Sequence, residues 1–246
     1  MAIEFGLLII GAYLLGSVPF AYLAAKWSRG IDIRQYGSGN IGASNVLRTT
    51  SKWLAIPVTI FDIGKGILAV WVAQLIGLGT MEQVVVGLAA IVGHNWSVFL
   101  RFQGGRGIFT SLGVILILSP VIGLIMIVIA YSLALFRKLS LGVLIALGSL
   151  PILSWFLSQP FGIEDKLTIT LGYLAILLIA LFRRLTAPRT SVTASVSTRR
   201  LLVNRLLFDR DIIDREAWIH RTPLQTGSAE QTPGQEEKKG KDPQIR

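Results

Sequence analysis

The sequence predicts an all-α, polytopic membrane helix bundle with seven transmembrane helices, an outside N-terminus and a cytoplasmic C-terminus. Composition, the recurrence of apolar runs of span length, and the placement of basic residues between those runs carry this reading. Of the 246 residues, 52% are hydrophobic and only 15% charged, with a mean hydropathy of +0.61. That is too apolar for a soluble domain with a charged surface.

A helix needs roughly 20 mainly apolar residues to cross a bilayer. Runs of that kind cover 3–25, 53–78, 84–100, 108–136, 139–157 and 167–182. The first does not read as a signal peptide, because no basic residue precedes it and its apolar stretch exceeds a signal core. Lys26, Arg29, Arg34, Arg48 and Lys52 follow the first run, whereas 77–82 carries no basic residue. Arg101 and Arg106 follow the third run, Arg137 and Lys138 the fourth, and Arg183 and Arg184 the last. Taken as one span, 108–136 would strand Arg137 and Lys138 outside. A break between Ser119 and Pro120 restores the alternation, since proline lacks an amide hydrogen and disfavours helix in the residue before it. Every strongly basic segment then faces the cytoplasm. The fourth span, 107–118, is short for a full crossing.

The chain divides into a seven-span membrane domain at 1–184, a basic juxtamembrane segment at 185–221, and a tail at 222–246 with the polarity of disorder. Within the second, 199–208 interleaves arginines with apolar residues, a pattern suited to an interfacial helix on an anionic leaflet. The absence of cysteine excludes disulfides, thiolate catalysis and cysteine-ligated metal clusters. The formal charge of +10 suits nucleic acid in a soluble protein, but cytoplasmic loops account for it here, so no nucleic-acid partner is expected.

Two loops carry chemistry. GSGNIGASNVLR at 37–48 has Gly37, Gly39 and Gly42, which let successive amides turn toward an anion. Ser38, Asn40, Ser44 and Asn45 add short hydrogen-bonding side chains, and Arg48 a fixed charge. These are the parts of a phosphate cradle. The GxGxxG spacing also matches a dinucleotide fingerprint, but a membrane span precedes it rather than a strand. The second loop, GHNWSVFLRFQGGRG at 93–107, sets Arg106 among Gly104, Gly105 and Gly107, a flexible backbone presenting a guanidinium to a phosphate or carboxylate. His94 ends the apolar run before it, where a lone histidine also fits a hydrogen-bonded helix end. Asp62 and Lys65 lie inside the second run, one helical turn apart, and are expected to pair as a site or its scaffold, because lone charges at membrane depth are costly. Ser140 begins the sixth span and alone would read as an N-cap.

In combination and in this order, GSVPFAY at 16–22, GSGNIGASNVLR, DIGKG at 62–66, GHNWSVFLRFQGGRG and the Ser140 segment resemble the acyl-phosphate:glycerol-3-phosphate acyltransferases of bacterial phospholipid synthesis, over about the first 185 residues. The resemblance implies seven spans in the bacterial inner membrane and a cytoplasmic-side active site. It implies transfer of a fatty acyl group from acyl phosphate to the 1-hydroxyl of glycerol 3-phosphate, with lysophosphatidate as product and no metal or coenzyme. Partners are then the two substrates and the lipid bilayer. Ser38, Asn40, His94, Arg106 and Ser140 are the expected catalytic set. Gly37, Gly39, Gly42, Ser44, Asn45, Arg48, Gly104, Gly105 and Gly107 are expected to bind phosphate, with Asp62 and Lys65 supporting the site.

The chain departs from that family's pattern at Ile41 and Ser97, where proline is usual, at Ser44 for threonine, and at Arg106 for lysine. After the last span the family pattern HRxNIxRLLxGxE finds its nearest likeness in RRLLVNRLLFDRD at 199–211, with Leu202 at the asparagine and Asp211 near the glutamate. A second reading is therefore a non-catalytic or altered-substrate homologue, or an anion transporter, that binds a phosphorylated small molecule. Transporters commonly carry inverted repeats around a midplane site, and the sequence displays no repeat.

Overall fold

The apolar runs become helices, and the polar and glycine-bearing segments between them become the turns. A computed structural model of the chain describes residues 2–163, 165–188, 193 and 196–219. Among the described residues the regular structure is entirely helical: α1 Ala2–Ser17, α2 Phe20–Arg29, α3 Ala43–Thr49, α4 Lys52–Leu75, α5 Thr80–Asn95, α6 Ile108–Leu118, α7 Pro120–Ser132, α8 Leu139–Leu157, α9 Lys166–Leu185, α10 Thr198–Phe208 and α11 Arg215–Ile219. The tail expected at 222–246 lies outside the described residues.

Local chemistry sets the boundaries. Gly30 closes α2 in the left-handed conformation, its amide donating to the Lys26 carbonyl, an arrangement that suits glycine because it lacks Cβ. Ser51 caps α4 by accepting from the Trp53 and Leu54 amides, satisfying donors that the first turn leaves open. The first apolar run breaks at Val18 and Pro19 into α1 and α2, and together Ala2–Arg29 remain long and apolar enough to cross a membrane.

Five such stretches exist among the described residues: Ala2–Arg29, Lys52–Leu75, Thr80–Leu100, Leu139–Leu157 and Lys166–Leu185. The break between Ser119 and Pro120 is present, with Pro120 opening α7. A Cβ on Gly123 would lie 3.1 Å from the Leu116 Cα, whereas residues seven apart in an unbroken helix are separated by about 10 Å along its axis. The chain therefore folds back at Ser119. With 11 and 13 residues, α6 and α7 reach about 17 and 20 Å, short of the roughly 30 Å of hydrocarbon.

The bundle is organised around α4 and α5. α4 packs on α5 and α6, α1 on α5, and α7, α8 and α9 form a consecutive row that returns to α5. The α4–α6 crossing is close enough that a Cβ on Gly66 would lie 2.3 Å from the Thr110 carbonyl oxygen and one on Gly113 2.1 Å from that of Ile63. Small residues give helices in a bilayer this backbone-to-backbone approach where no hydrophobic drive acts between them. The main core joins Val70, Ile91, Ile115, Ile122, Leu147 and Tyr173, while a second cluster around Ile33, Ile41, Val46 and Val58 underlies the first loop. Leu7, Ile60, Val128, Ile152 and Leu178 face outward, an apolar exterior suited to lipid.

After α9 the chain turns back across the end of the bundle. Arg184, buried, donates to the Leu206 carbonyl at 2.8 Å and to the Ser140 carbonyl at 3.0 Å. Arg205 donates to the Leu185 carbonyl at 2.8 Å and pairs with Asp211 at 2.7 Å. The 199–208 stretch thus uses Leu201, Asn204 and Arg205 to dock on the bundle, leaving Arg199, Arg200, Leu202 and Val203 exposed.

Candidate active site

Both glycine-bearing loops and the inner faces of α4 and α5 converge on one cavity. The first loop is shaped from within. Asp32 accepts from the Arg34 amide at 3.0 Å and from its guanidinium at 2.6 to 3.1 Å. That guanidinium holds the Asp32 carboxyl below the ordinary carboxylate range, and Arg34 also donates to Gln103 in the second loop at 3.1 Å. Asn45, fully buried, donates to the Ile33 and Tyr36 carbonyls at 3.2 and 3.0 Å and accepts from the Ser38 amide at 2.9 Å. Three of the four hydrogen bonds its amide can form therefore hold the loop. Gly37 sits at φ +56, and a Cβ there would come within 2.3 Å of Asn45 Oδ1. Gly39 also takes positive φ, +67, and Gly42 opens α3 in an extended conformation. The Ser38 hydroxyl accepts from the Asn40 amide at 3.4 Å, which leaves its proton for another acceptor. Ser44 and Arg48 lie exposed on α3.

The second loop wraps the end of α5. The Gly105 amide donates to the His94 carbonyl at 3.0 Å. The Gly104 and Gly105 carbonyls accept from the buried Arg183 guanidinium at 2.9 and 3.1 Å. A Cβ on Gly105 would lie 2.1 Å from His94 Nε2 and 2.6 Å from the Ile41 carbonyl oxygen, so the two loops touch at this residue. Gly107, at φ +73, turns the chain into α6 against Asn95. Arg106 donates to the Arg183 carbonyl at 3.0 Å and pairs with Asp209 at 2.9 Å.

Beneath the loops lies a buried charged group. Asp62 and Lys65, side chains 3% and 1% exposed, pair at 2.9 Å. The Lys65 ammonium also stands 2.7 Å from His94 Nδ1. An ammonium has no lone pair, so it donates to Nδ1, and the proton of the neutral imidazole is assigned to Nε2. Nε2 is the nitrogen against Gly105, at the wall of a cavity lined by Ser17, Ile41, Asp62, His94, Ser97 and Gly105. The cavity is thus offered an N–H donor held in place by a buried ion pair. At position 97 the serine hydroxyl donates to the Ser17 carbonyl at 2.5 Å, tying the end of α5 to α1.

Of the residues singled out in the sequence, His94 and Gly105 line the cavity with Gly104, and Asp62 does so from below. Ser38, Asn40 and Arg106 do not line it, and Ile41 is the residue of the first loop that does. Ser140 does not line it and is joined through its carbonyl to Arg184. Nor is Ser140 the N-cap of α8, since Lys138 holds that position. Sequence reasoning missed Arg183, Arg184 and Asp209. Arg183 and Arg184 end the last span, where orientation alone also explains the charge, and Asp209 sits in the segment read as basic and juxtamembrane.

The sequence model of the family described as glycerol-3-phosphate acyltransferase matches residues 6–188. Glycerol-3-phosphate acyltransferase 4 of Dehalococcoides mccartyi strain CBDB1 is 46% identical over 221 residues, covering 90% of this chain and 95% of its own. Glycerol-3-phosphate acyltransferase 5 of a second strain of Dehalococcoides mccartyi (ATCC BAA-2266 / KCTC 15142 / 195) is 46% identical over 233 residues, covering 95% and 99%. Both matches are long enough to run across α10. Among solved structures, the glycerol 3-phosphate form of PlsY (YgiH), an integral membrane glycerol 3-phosphate acyltransferase, superposes with a TM-score of 0.66 at 32% identity, covering 74% of this chain and 88% of that one. With its apolar helices of span length, this chain is a multi-pass membrane protein, and it belongs to the glycerol-3-phosphate acyltransferase family.

Proposed function

We propose that the protein transfers an acyl group from acyl phosphate to the 1-hydroxyl of glycerol 3-phosphate, releasing phosphate and lysophosphatidate. The observation that carries this is the meeting of the two glycine loops at Gly105, against the outward nitrogen of His94. Family membership makes this the reading of the cavity.

Acyl phosphate is a mixed anhydride, so catalysis needs alignment of the alcohol with the carbonyl and stabilisation of developing charge more than a strong base. His94 Nε2–H suits the oxyanion. The Ser38 hydroxyl orients the acceptor, with the Asn40 and Gly39 backbone beside it. Arg106, with Arg48 at the margin, binds phosphate, and Ser44 lies on the same rim. Asn45, Gly37, Gly42, Gly104 and Gly107 shape the two loops around the phosphate, Asp62 and Lys65 set the His94 proton, and Ser140 braces Arg184. The acyl chain leaves along the apolar groove of Leu47, Trp53, Ile56 and Ile60, which opens beside α3 and the start of α4.

In this reading α6 and α7 complete seven passages of a bacterial inner membrane, the bilayer thinning around helices this short. The N-terminus lies outside, and both loops and the C-terminus face the cytoplasm. The exposed Arg199, Arg200, Leu202 and Val203 of α10 rest on the inner leaflet.

The test is acyl transfer by detergent-purified protein supplied with acyl phosphate and glycerol 3-phosphate, following phosphate release and lysophosphatidate. Ser38→Ala is expected to lower kcat/KM about tenfold and Arg106→Ala about a hundredfold, the range for losing a neutral and a charge-assisted hydrogen bond at a site. Saturable glycerol 3-phosphate binding without any lysophosphatidate from the wild-type protein overturns the reading in favour of a non-catalytic binder.

A further inference from the structure

Asp209 stands where arginines from three elements converge. Its carboxylate pairs with Arg106 of the second loop at 2.9 Å. Its charge also reaches Arg48 of α3 and Arg183 and Arg184 at the end of α9. The position is built. Asp209 terminates α10 in the left-handed conformation at φ 54, its amide donating to the Arg205 carbonyl. Two residues on, Asp211 pins the segment by pairing with Arg205 at 2.7 Å and accepting from Thr193 at 2.7 Å. The two carboxylates differ in access. Asp211 is 3% exposed and Asp209 27%, while Arg106 is 13% exposed. The anchor is closed off, and the partner of Arg106 is the one a solute can reach.

A carboxylate and a phosphate are both acceptor-only anions that a guanidinium engages in the same way. Guanidiniums this close repel one another and need a counter-charge when no ligand is bound. We propose that Asp209 is an internal competitor, a carboxylate that occupies the arginine cluster until a substrate phosphate displaces it. This rests on the reading of Arg106 as a phosphate-binding group. A dianion gains more from the arginines than a singly charged anion does, so it meets the displacement cost at lower concentration. Asp209 therefore raises the threshold for every anion by the same factor.

The test is Asp209→Asn in the full-length detergent-purified protein. Asparagine is chosen because, with aspartate, it tolerates positive φ. Asp209→Gly, which tolerates it better, is the second variant. Inhibition by inorganic phosphate and by glycerate, the singly charged carboxylate counterpart of the acceptor, is measured beside the KM for glycerol 3-phosphate. The expected result is a fall of about tenfold in the inhibition constant for glycerate, the scale of one charge-assisted bond. A comparable fall is expected for phosphate and for the KM, Asp209→Glu should restore the wild-type values, and Arg106→Gln should abolish the gain. Unchanged or weakened anion inhibition in both Asp209→Asn and Asp209→Gly, with only a lower melting temperature, makes Asp209 a structural brace and overturns the proposal. Stabilisation of the folded protein against heat by added inorganic phosphate reads the same affinity without turnover. It still shifts to lower phosphate in Asp209→Asn even where the wild-type protein transfers no acyl group, which separates failure of this inference from failure of the assigned reaction.

Discussion

Gly105→Ala is expected to lower acyl transfer about a hundredfold while leaving the protein folded. The new methyl carbon would fall 2.1 Å from His94 Nε2 and 2.6 Å from the Ile41 carbonyl oxygen, so the first loop, the second loop and the imidazole cannot all keep their places. Overpacking of this kind costs about 1–3 kcal/mol, well within what a bundle of this size survives. Displacing reacting groups by about 1 Å costs on the order of a hundredfold in rate. Gly105 does not sit at positive φ, so the effect is contact and not backbone strain. Gly64→Ala is the matched control, because a Cβ at Gly64, two residues from Asp62, meets nothing within 4 Å, and alanine is the better helix former. Circular dichroism and the melting temperature check the fold, and the rate with saturating substrates checks the site. Full activity in Gly105→Ala would mean that the loops do not meet around the reaction.

The sequence carried the membrane character, the break at Ser119 and the two loops for a shared physical reason: each is a local property. Apolar runs declare themselves by length, proline interrupts helix wherever it sits, and glycines among small polar residues have few other uses beside a span. The pairing of Asp62 with Lys65 at 2.9 Å follows from a spacing of three on a helix and the cost of charge at depth. What could not be read was convergence. Arg183 and Arg184 look like any basic span end, and only the return of α10 buries them. The segment 199–208 has an amphipathic composition that fits a leaflet, yet Asn204 and Arg205 face the bundle because Leu185 and Asp211 supply partners from outside that window. Asn45 looked like a ligand contact, since nothing in its neighbours reveals that Ile33 and Tyr36 present carbonyls to it. Side chains that join distant segments are legible only once the segments are placed.

Lys65→Met should have the largest effect on stability, about 3–5 kcal/mol, because it leaves the Asp62 carboxylate buried with its cation removed. The same substitution should damage catalysis by a separate route. In the native protein the ammonium donates to His94 Nδ1 at 2.7 Å and so assigns the imidazole proton to Nε2, facing Gly105. Without it, Asp62 Oδ1, 3.4 Å from Nδ1, becomes the acceptor nearest that nitrogen. The proton moves to Nδ1, and the nitrogen at the cavity then offers a lone pair where charge develops. Loss of one donor to an oxyanion costs about a hundredfold to a thousandfold in turnover. The two effects separate in the double variant. Asp62→Asn with Lys65→Met removes both charges, so most of the melting temperature should return, while turnover stays low because no cation directs the imidazole. Thermal unfolding in detergent and kcat at saturating substrate distinguish the two variants. A Lys65→Met protein that melts with the wild type shows that the buried ion pair within α4 does not stabilise the bundle. A double variant that recovers its rate shows that the orientation of the His94 proton is immaterial to the reaction.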